Sequence, residues 1–334
     1  TDRAAGVQVA FVGTAAGIEA TVVPREKFPL DLIRSAGLKG KSLGAVVRGL
    51  SLLPLSAWDA WRVITRRAPD VVVGVGGYSS GPVVALAALR GIPTMVMEQN
   101  AAPGLTNRLL ARVVRAAAVT FEASVARFGS KAFVAGNPVR SEFFQPAAAG
   151  TPDRLHVLVF GGSQGAHAIN VAMAAAALEL AEQAPGVHIT HQTGARDVEM
   201  VREAYERAGV AARVEPFLFE MHREMHAADV VVCRSGATTL AELAAAGKAA
   251  ILIPLPTATD DHQRANAAAM AQAGAAVLLD QRDADGVRLA REIATLGSDP
   301  AARERMGRAA AALARPNAAA EIAARIIDLA GERA

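Results

Sequence analysis

Between Val230 and Pro256 the chain reads VVVCRSGATTLAELAAAGKAAILIPLP: an apolar run, a loop of small and hydroxylated residues, an Ala-rich helical pattern, and a second apolar run. The SGATT turn brings backbone amides and hydroxyls to the start of a helix, with Thr239, Leu240 and Glu242 expected in its first turn. A carboxylate there can accept two hydrogen bonds from vicinal ribose hydroxyls, and the helix N-terminus keeps it ionised; complementing the helix dipole explains Glu242 equally well. Upstream, LHVLVF runs into GGSQGAHAIN. Gly161, Gly162 and Gly165 let backbone N–H groups and a helix start at Gly162–Ser163 meet an anion, Ser163 adds a hydroxyl donor, and a phosphate fits. The plainer reading is a tight turn whose glycines serve only backbone shape. Downstream, PLPTATDDHQRANA sets Asp260, Asp261, His262 and Gln263 at another loop-to-helix junction, a kit suited to sugar hydroxyls, although an N-cap by Asp260 explains part of it. In the first half, GVGGYSSGP, with Gly76, Gly77 and Tyr78, is either a second anion cradle or a close strand-to-helix packing point.

Other chemistries fit less well. Gly74-x-Gly76 meets Ser79 where the third glycine of a dinucleotide fingerprint belongs, and Gly161-Gly162 lacks the intervening residue, which disfavours a nicotinamide enzyme. SAGLKGKS (35–42) has Ser35 in place of the first P-loop glycine and no strand before it. His188 and His191 on one strand point to opposite faces, and His222 and His226 on a helix find no third ligand, so neither a metal nor a cofactor is expected. The single Cys233 excludes a disulfide framework and favours a reducing, cytoplasmic setting. A formal charge of only +3 does not indicate a nucleic-acid binder. Without a span-length apolar stretch or a signal-peptide pattern, a soluble protein is expected.

The elements that must hold these loops follow from periodicity. With 52% hydrophobic but only 4% aromatic residues, the cores are built from Ala, Val, Leu and Ile, as suits parallel sheets under helices. Apolar runs at 7–13, 70–76, 94–99, 131–136, 155–162, 187–193, 229–234 and 249–255 alternate with helical patterns, which predicts an α/β chain with helices on both sheet faces. A length of 334 residues suits two domains. The Pro- and Ala-rich segment 136–154 marks the boundary, giving Rossmann-like domains at 1–140 and 141–316 facing a cleft, with a last helix at 317–334 packing back on the first. Ligands of such sheets bind at the carboxyl ends of the strands. A strand pattern that starts almost at residue 1, with no initiator Met, suggests that something upstream is lost.

Taken together, GGSQGA, GNPVR, EQN, CRSGATTLAE and DDHQ..NA resemble the MurG family, bacterial UDP-N-acetylglucosamine transferases of peptidoglycan and cell wall synthesis. The resemblance runs from about Val7 to the C-terminus. It implies the GT-B fold and inverting transfer of N-acetylglucosamine from UDP-GlcNAc to lipid I, undecaprenyl-diphospho-MurNAc-pentapeptide, to give lipid II. It also implies donor-site roles for Asn100 and Arg140, a diphosphate contact at Ser163, a uracil contact at the Leu218 backbone, nucleotide contacts from Ala237, Thr238, Thr239, Leu240 and Ala241, ribose on Glu242, and sugar hydroxyls on Gln263. Gly76, Gly77 and Tyr78 fall on the acceptor side. Family members begin with a strand and a GGTGGH loop ahead of this chain's first segment. Lacking both, the first domain is expected to miss its initial strand, its Gly-rich loop and the candidate histidine base, and the chain to be a weak or inactive catalyst. The base is left unassigned, with Glu98 and Asp261 the carboxylates to test as substitutes. Other GT-B enzymes, such as a diacylglycerol glucosyltransferase or a UDP-GlcNAc 2-epimerase, and a non-catalytic nucleotide-sugar binder are the alternatives.

A lipid-linked acceptor implies peripheral work at an anionic bilayer, on the cytoplasmic face of the plasma membrane. In GLKGKSLGAVVRGLSLLP (37–54), Leu43, Val46, Val47, Leu50 and Leu53 recur at helical spacing beside Lys39, Lys41 and Arg48. That stripe suits shallow insertion among headgroups. A core-facing helix stripe is the other reading.

Overall fold

The structure is a computed structural model that describes residues 6–35, 52–145, 154–162 and 165–332. By contacts the chain divides into two units. The first holds residues up to Glu98, Pro103–Val134 and Ala320–Ala334; the second holds Gln99–Ala102 and Ala135–Ala319. The contact boundary at Val134/Ala135 lies upstream of the 140/141 boundary read from composition, and the short Gln99–Ala102 stretch joins the second unit.

In the first unit, β1 (Phe11–Gly13), α1 (Glu19–Arg25) and β2 (Leu30–Leu32) make a parallel pair joined through a helix. Next come α2 (Leu53–Arg67), β3 (Val72–Gly74), α3 (Gly77–Leu89), β4 (Thr94–Glu98), α4 (Leu105–Leu110), β5 (Ala116–Val119), α5 (Val125–Phe128) and β6 (Ala132–Val134). Strands β3 to β6 form a separate parallel sheet in that order. Both sheets rest on one helical layer: Val12 of β1 and Val72 of β3 pack on the same cluster of Ala60, Val63, Ile64, Val83 and Ala87 from α2 and α3.

The second unit runs β7 (His156–Phe160), α6 (His167–Gln183), β8 (His188–Gln192), α7 (Val198–Ala208), β9 (Ala211–Glu215), α8 (Met221–Ala227), β10 (Val230–Cys233), α9 (Ala237–Ala246), β11 (Ala249–Leu252), α10 (His262–Gln272), β12 (Val277–Leu278), α11 (Gly286–Ser298) and α12 (Pro300–Ala312). Helix α13 (Ala318–Gly331) follows and lies mostly in the first unit's stretch. The parallel sheet has the order β12-β11-β10-β7-β8-β9. Burial explains the order. Val157 to Val159 and Val230 to Val232 are fully buried, as strands covered on both faces must be, whereas the edge strand β9 carries exposed Ala211 and Arg213. After β9 the chain returns across the sheet to pair β10 with β7. Loops leaving β7 and β10 therefore diverge at the switch point of the strand order, where ligands of open α/β sheets bind.

Each of the eight apolar runs read from sequence contains a strand, trimmed at its ends; the 7–13 run shrinks to β1. β2, β5, β9 and β12 were not anticipated.

Candidate functional site

The carboxyl ends of the second sheet gather most of the residues singled out from sequence. The loop after β7 turns at Gly162 (φ +96°) and Gly165 (φ +72°). A Cβ on Gly165 would stand 1.9 Å from the Thr193 carbonyl oxygen, and that oxygen is pinned by Asn170 Nδ2 at 2.8 Å, so it cannot retreat. Backbone geometry alone thus demands glycine here, which satisfies the plainer reading of this loop without excluding an anion. Gly165→Ala is expected to lower stability by about 3 kcal/mol, from left-handed strain plus overpacking. Chemical denaturation measures it, and a loss below about 1 kcal/mol would contradict this account.

Helix α6 begins at His167, after Ala166, not at Gly162–Ser163 as expected. The close approach of Gly165 to Thr193 and the pairing of His167 Nδ1 with Asp197 (2.9 Å) fix that later start. Ser163 lies outside the described residues, as do Leu43, Val46, Val47 and Leu50.

After β10, the Arg234 side chain is buried and donates to the carbonyls of Ile253 (3.0 Å) and Pro254 (3.1 Å) and to Gln281 Oε1 (2.7 Å). It straps together the loops that follow β10, β11 and β12. Gly236 caps α9 without a side-chain hydrogen bond, so the cap residue leaves the amides of Ala237, Thr238 and Thr239 open to another acceptor. Leu240 is buried, and Ala241 is half-buried beside it.

Glu242 does not lie in the first turn of α9, which holds no acidic residue. It sits one turn further in, beyond the reach of the helix N-terminus, and burial raises its carboxyl to about 6 while the Arg140 guanidinium pulls the other way. Desolvation, not dipole stabilisation, governs this carboxylate. No hydrogen bond reaches it among the described residues, so its acceptor capacity is unspent. Arg140 comes from the GNPVR loop, where Asn137 Nδ2 approaches Thr238 Oγ1 at 3.5 Å, and its guanidinium lies over Phe143, 5.2 Å from the ring centroid. Beneath this helix end, burial, with Glu242's charge adding, pushes the Cys233 thiol far above its ordinary range.

Ser235 and Asn266 tie the remaining loops together. Ser235 Oγ donates to the Gln263 carbonyl (2.8 Å), while Gln263 Oε1 accepts from Leu255 N–H (3.0 Å), so half of the Gln263 carboxamide expected on sugar hydroxyls serves its own loop. Asn266 is fully buried; its Oδ1 accepts from Ala101 N–H (2.8 Å), and its Nδ2 donates to Ser235 O and Asn100 Oδ1, both at 3.1 Å. Asn100 is thereby held within the second unit. Asp261, rather than Asp260, stands at the N-cap of α10 and makes no side-chain cap bond; both Asp260 (φ +57°) and Asp261 (φ +52°) are left-handed.

Between the β7 loop and the segment after β9 stands Gln192, the last residue of β8. Its Nε2 donates to Gly162 O (2.9 Å) and its Oε1 accepts from Leu218 N–H (2.8 Å). The Leu218 backbone therefore has only its carbonyl left for a base, not both of its polar groups. Sequence reasoning missed the roles of Gln192, Asn266 and Arg234; the one signal for each was a polar side chain bordering an apolar run or inside a quoted motif.

In the first unit, Gly76 caps α3 and Gly77 begins it, both with positive φ, and Tyr78 is half-exposed, its carbonyl accepting from Ser35 Oγ (2.9 Å). Glu98 is not available as a base. It is buried, and its Oε2 accepts from Gly104 N–H (3.0 Å) and Asn107 Nδ2 (2.9 Å), closing the turn into α4. Of the expected apolar stripe only Leu53 is described; it is exposed at the start of α2, which continues outward through Leu55, Trp58 and Trp61.

Comparison with known proteins agrees with this geometry. Residues 3–119 match the glycosyltransferase family 28 N-terminal domain and residues 156–324 its C-terminal domain. A UDP-N-acetylglucosamine--N-acetylmuramyl-(pentapeptide) pyrophosphoryl-undecaprenol N-acetylglucosamine transferase from Anaeromyxobacter sp. (strain K) is 49% identical over 94% of this chain and 83% of its own length. The transferase of the same name from Myxococcus xanthus (strain DK1622) is 46% identical over 96% and 85%. The crystal structure of MurG from Acinetobacter baumannii superposes with a TM-score of 0.80 at 31% identity, covering 97% of this chain and 91% of that one.

Proposed function

Since the chain belongs to glycosyltransferase family 28 and, within it, to the MurG enzymes, we propose that it transfers N-acetylglucosamine from UDP-GlcNAc to the muramoyl sugar of undecaprenyl-diphospho-MurNAc-pentapeptide, yielding lipid II with inversion. The observation that supports this reading is the position, on neighbouring strands at the switch point of the second sheet, of the Gly-rich loop leaving β7 and the start of α9, with the buried carboxylate of Glu242 one turn into that helix.

In this reading the diphosphate lies against the Gly161–Gly165 loop and the backbone amides at Ala237 to Thr239. The ribose hydroxyls donate to Glu242, and Leu218 O meets the base. Asn100 and the free half of Gln263 address the sugar. The acceptor 4-hydroxyl attacks the anomeric carbon from the face opposite the departing UDP; the new C–O bond forms as the bond to the diphosphate breaks, and the hydroxyl proton goes to a base. Helix-end amides and Arg140 take up the charge that develops on UDP. Asp261, exposed just before α10, is the carboxylate to test as the proton's acceptor.

Incubation with UDP-GlcNAc and a lipid I analogue is expected to release UDP and give the disaccharide product, and a robust rate would overturn the expectation of a weak catalyst drawn from the sequence. Epimerised UDP-sugar without acceptor, or transfer to diacylglycerol instead, would replace this reading with another activity of the same fold.

The acceptor requires a bilayer. Among the described residues no helix is long and apolar enough to cross a membrane, and in this reading docking is peripheral. Both Trp residues of the chain, Trp58 and Trp61, lie exposed on α2 at a spacing that shares one helix face. Leu55 extends that face, Arg62 and Arg66 flank it, and Arg90 lies 4.5 Å over the Trp61 ring. Indole rings beside guanidinium groups suit the headgroup layer of an anionic leaflet, and in this reading the cytoplasmic leaflet, where UDP-sugars reside, is the one engaged. Replacing both Trp58 and Trp61 with Ser should weaken binding to phosphatidylglycerol vesicles roughly tenfold and leave UDP affinity unchanged. Undiminished sedimentation with vesicles would remove this surface from the account.

A further inference from the structure

Gln192 joins parts of the second unit that come from different crossovers. It is 2% exposed at the carboxyl end of β8, next to β7 in the sheet. Its two partners fix its orientation, because only one rotation of the amide presents Nε2 to a carbonyl and Oε1 to an N–H. On one side is Gly162 O, which also accepts from Gly165 N–H at 3.0 Å and so belongs to the turn of the β7 loop. On the other is Leu218 N–H, in the segment leaving β9. One buried carboxamide therefore spans the two loops, with both of its polar ends satisfied.

We propose that Gln192 is a positioning residue of the donor site: its carboxamide sets the spacing between the diphosphate loop at Gly162 and the base-side backbone at Leu218, so that one nucleoside diphosphate is gripped at both ends. The idea rests on the donor-site reading above. A ligand held at two points gains from their fixed separation, and a ligand held at one point gains little. Loss of the clamp therefore penalises UDP more than uridine.

The test uses the full chain and the variants Gln192→Leu and Gln192→Glu, with thermal melts choosing a temperature at which each is folded. Calorimetry with UDP and with uridine, plus initial rates against UDP-GlcNAc, gives the readout. For Gln192→Leu, UDP affinity should fall about tenfold and uridine affinity less than about threefold, while KM for UDP-GlcNAc rises about tenfold and kcat stays within about twofold. Gln192→Glu keeps an acceptor for Leu218 N–H and should leave uridine affinity unchanged while weakening UDP. If Gln192→Leu fails to fold, Gln192→Glu decides the matter. UDP affinity unchanged in the folded variants, or equal losses for UDP and uridine, overturns the proposal while wild-type uptake of UDP leaves the donor site standing. A wild-type chain that takes up no UDP overturns both.

Discussion

Glu242→Gln is expected to weaken UDP binding about thirtyfold at pH 7.5 while making the folded protein more stable. The carboxylate has no hydrogen-bond partner of its own among the described residues, and burial raises it to about 6 from an ordinary 4.5. Below about pH 4.5 both folded and unfolded chains hold the proton. Between 4.5 and 6 the folded chain keeps a proton that the unfolded chain releases, so this group's contribution to stability is lost as pH rises through 6. Above that, the wild type carries a desolvated charge that the glutamine variant does not. The variant should therefore be more stable by on the order of 1 kcal/mol at pH 7.5, after allowance for partial exposure, and the difference should vanish below pH 4.5. Binding moves oppositely. Ribose hydroxyls donate best to an ionised acceptor, and about 2 kcal/mol of charge-assisted bonding corresponds to the thirtyfold loss. Wild-type affinity should drop more steeply than the variant's as pH is lowered from 8 to 5, since protonation of UDP's own terminal phosphate acts on both alike. Calorimetry across pH and paired melts check both halves; a variant that binds UDP as tightly as wild type at pH 7.5 would remove Glu242 from the ribose site.

Asn266→Ala is expected to cost more stability than any other single change described above. It leaves Ala101 N–H and Ser235 O without their partner in a fully buried setting, at about 1–3 kcal/mol for each group. A total of about 4 kcal/mol corresponds to a fall in Tm of roughly 10 °C for a unit of this size. Asn266→Asp should do little better, since it retains the acceptor for Ala101 but faces the carbonyl oxygens of Ser235 and Asn100 with a carboxylate. Because Asn266 also holds Asn100, KM for UDP-GlcNAc should rise in whatever fraction stays folded. A Tm within 2 °C of wild type, that is, a loss under roughly 1 kcal/mol, would show the network to be dispensable.

Several of the strands that sequence reveals are buried on both faces, where burial favours runs rich in Val, Leu and Ile. β7, β10 and β11 are of this kind. The strands it hides lack that signature for separate physical reasons. β5 is Ala116–Val119, three alanines and a valine, indistinguishable from a buried helix turn. β9, AARVE, is a polar edge, and β12 is two residues long. β2 carries a buried acid, Asp31, which is tolerable only because Arg66 and Arg67 of α2 reach it. In the site, loop positions were legible because they follow strands, but the groups that set their spacing were not. Asn266 meets Asn100 and Ala101 across 166 and 165 positions, and a carboxamide that far from its partners has no local pattern. Glu242 lies a turn deeper in α9 than the sequence places it, so burial and not the helix N-terminus sets its ionisation.

The chain's single thiol, Cys233, is sealed at the end of a central strand, fully buried and held protonated by its surroundings. Maleimide and disulfide reagents attack thiolates that solvent can reach, so in the folded protein they will pass this one by. A cysteine introduced near the loops after β7 and β10 or on the outer face of α2 would accept a fluorophore or spin label alone, with no need to strip the native residue from the sheet first.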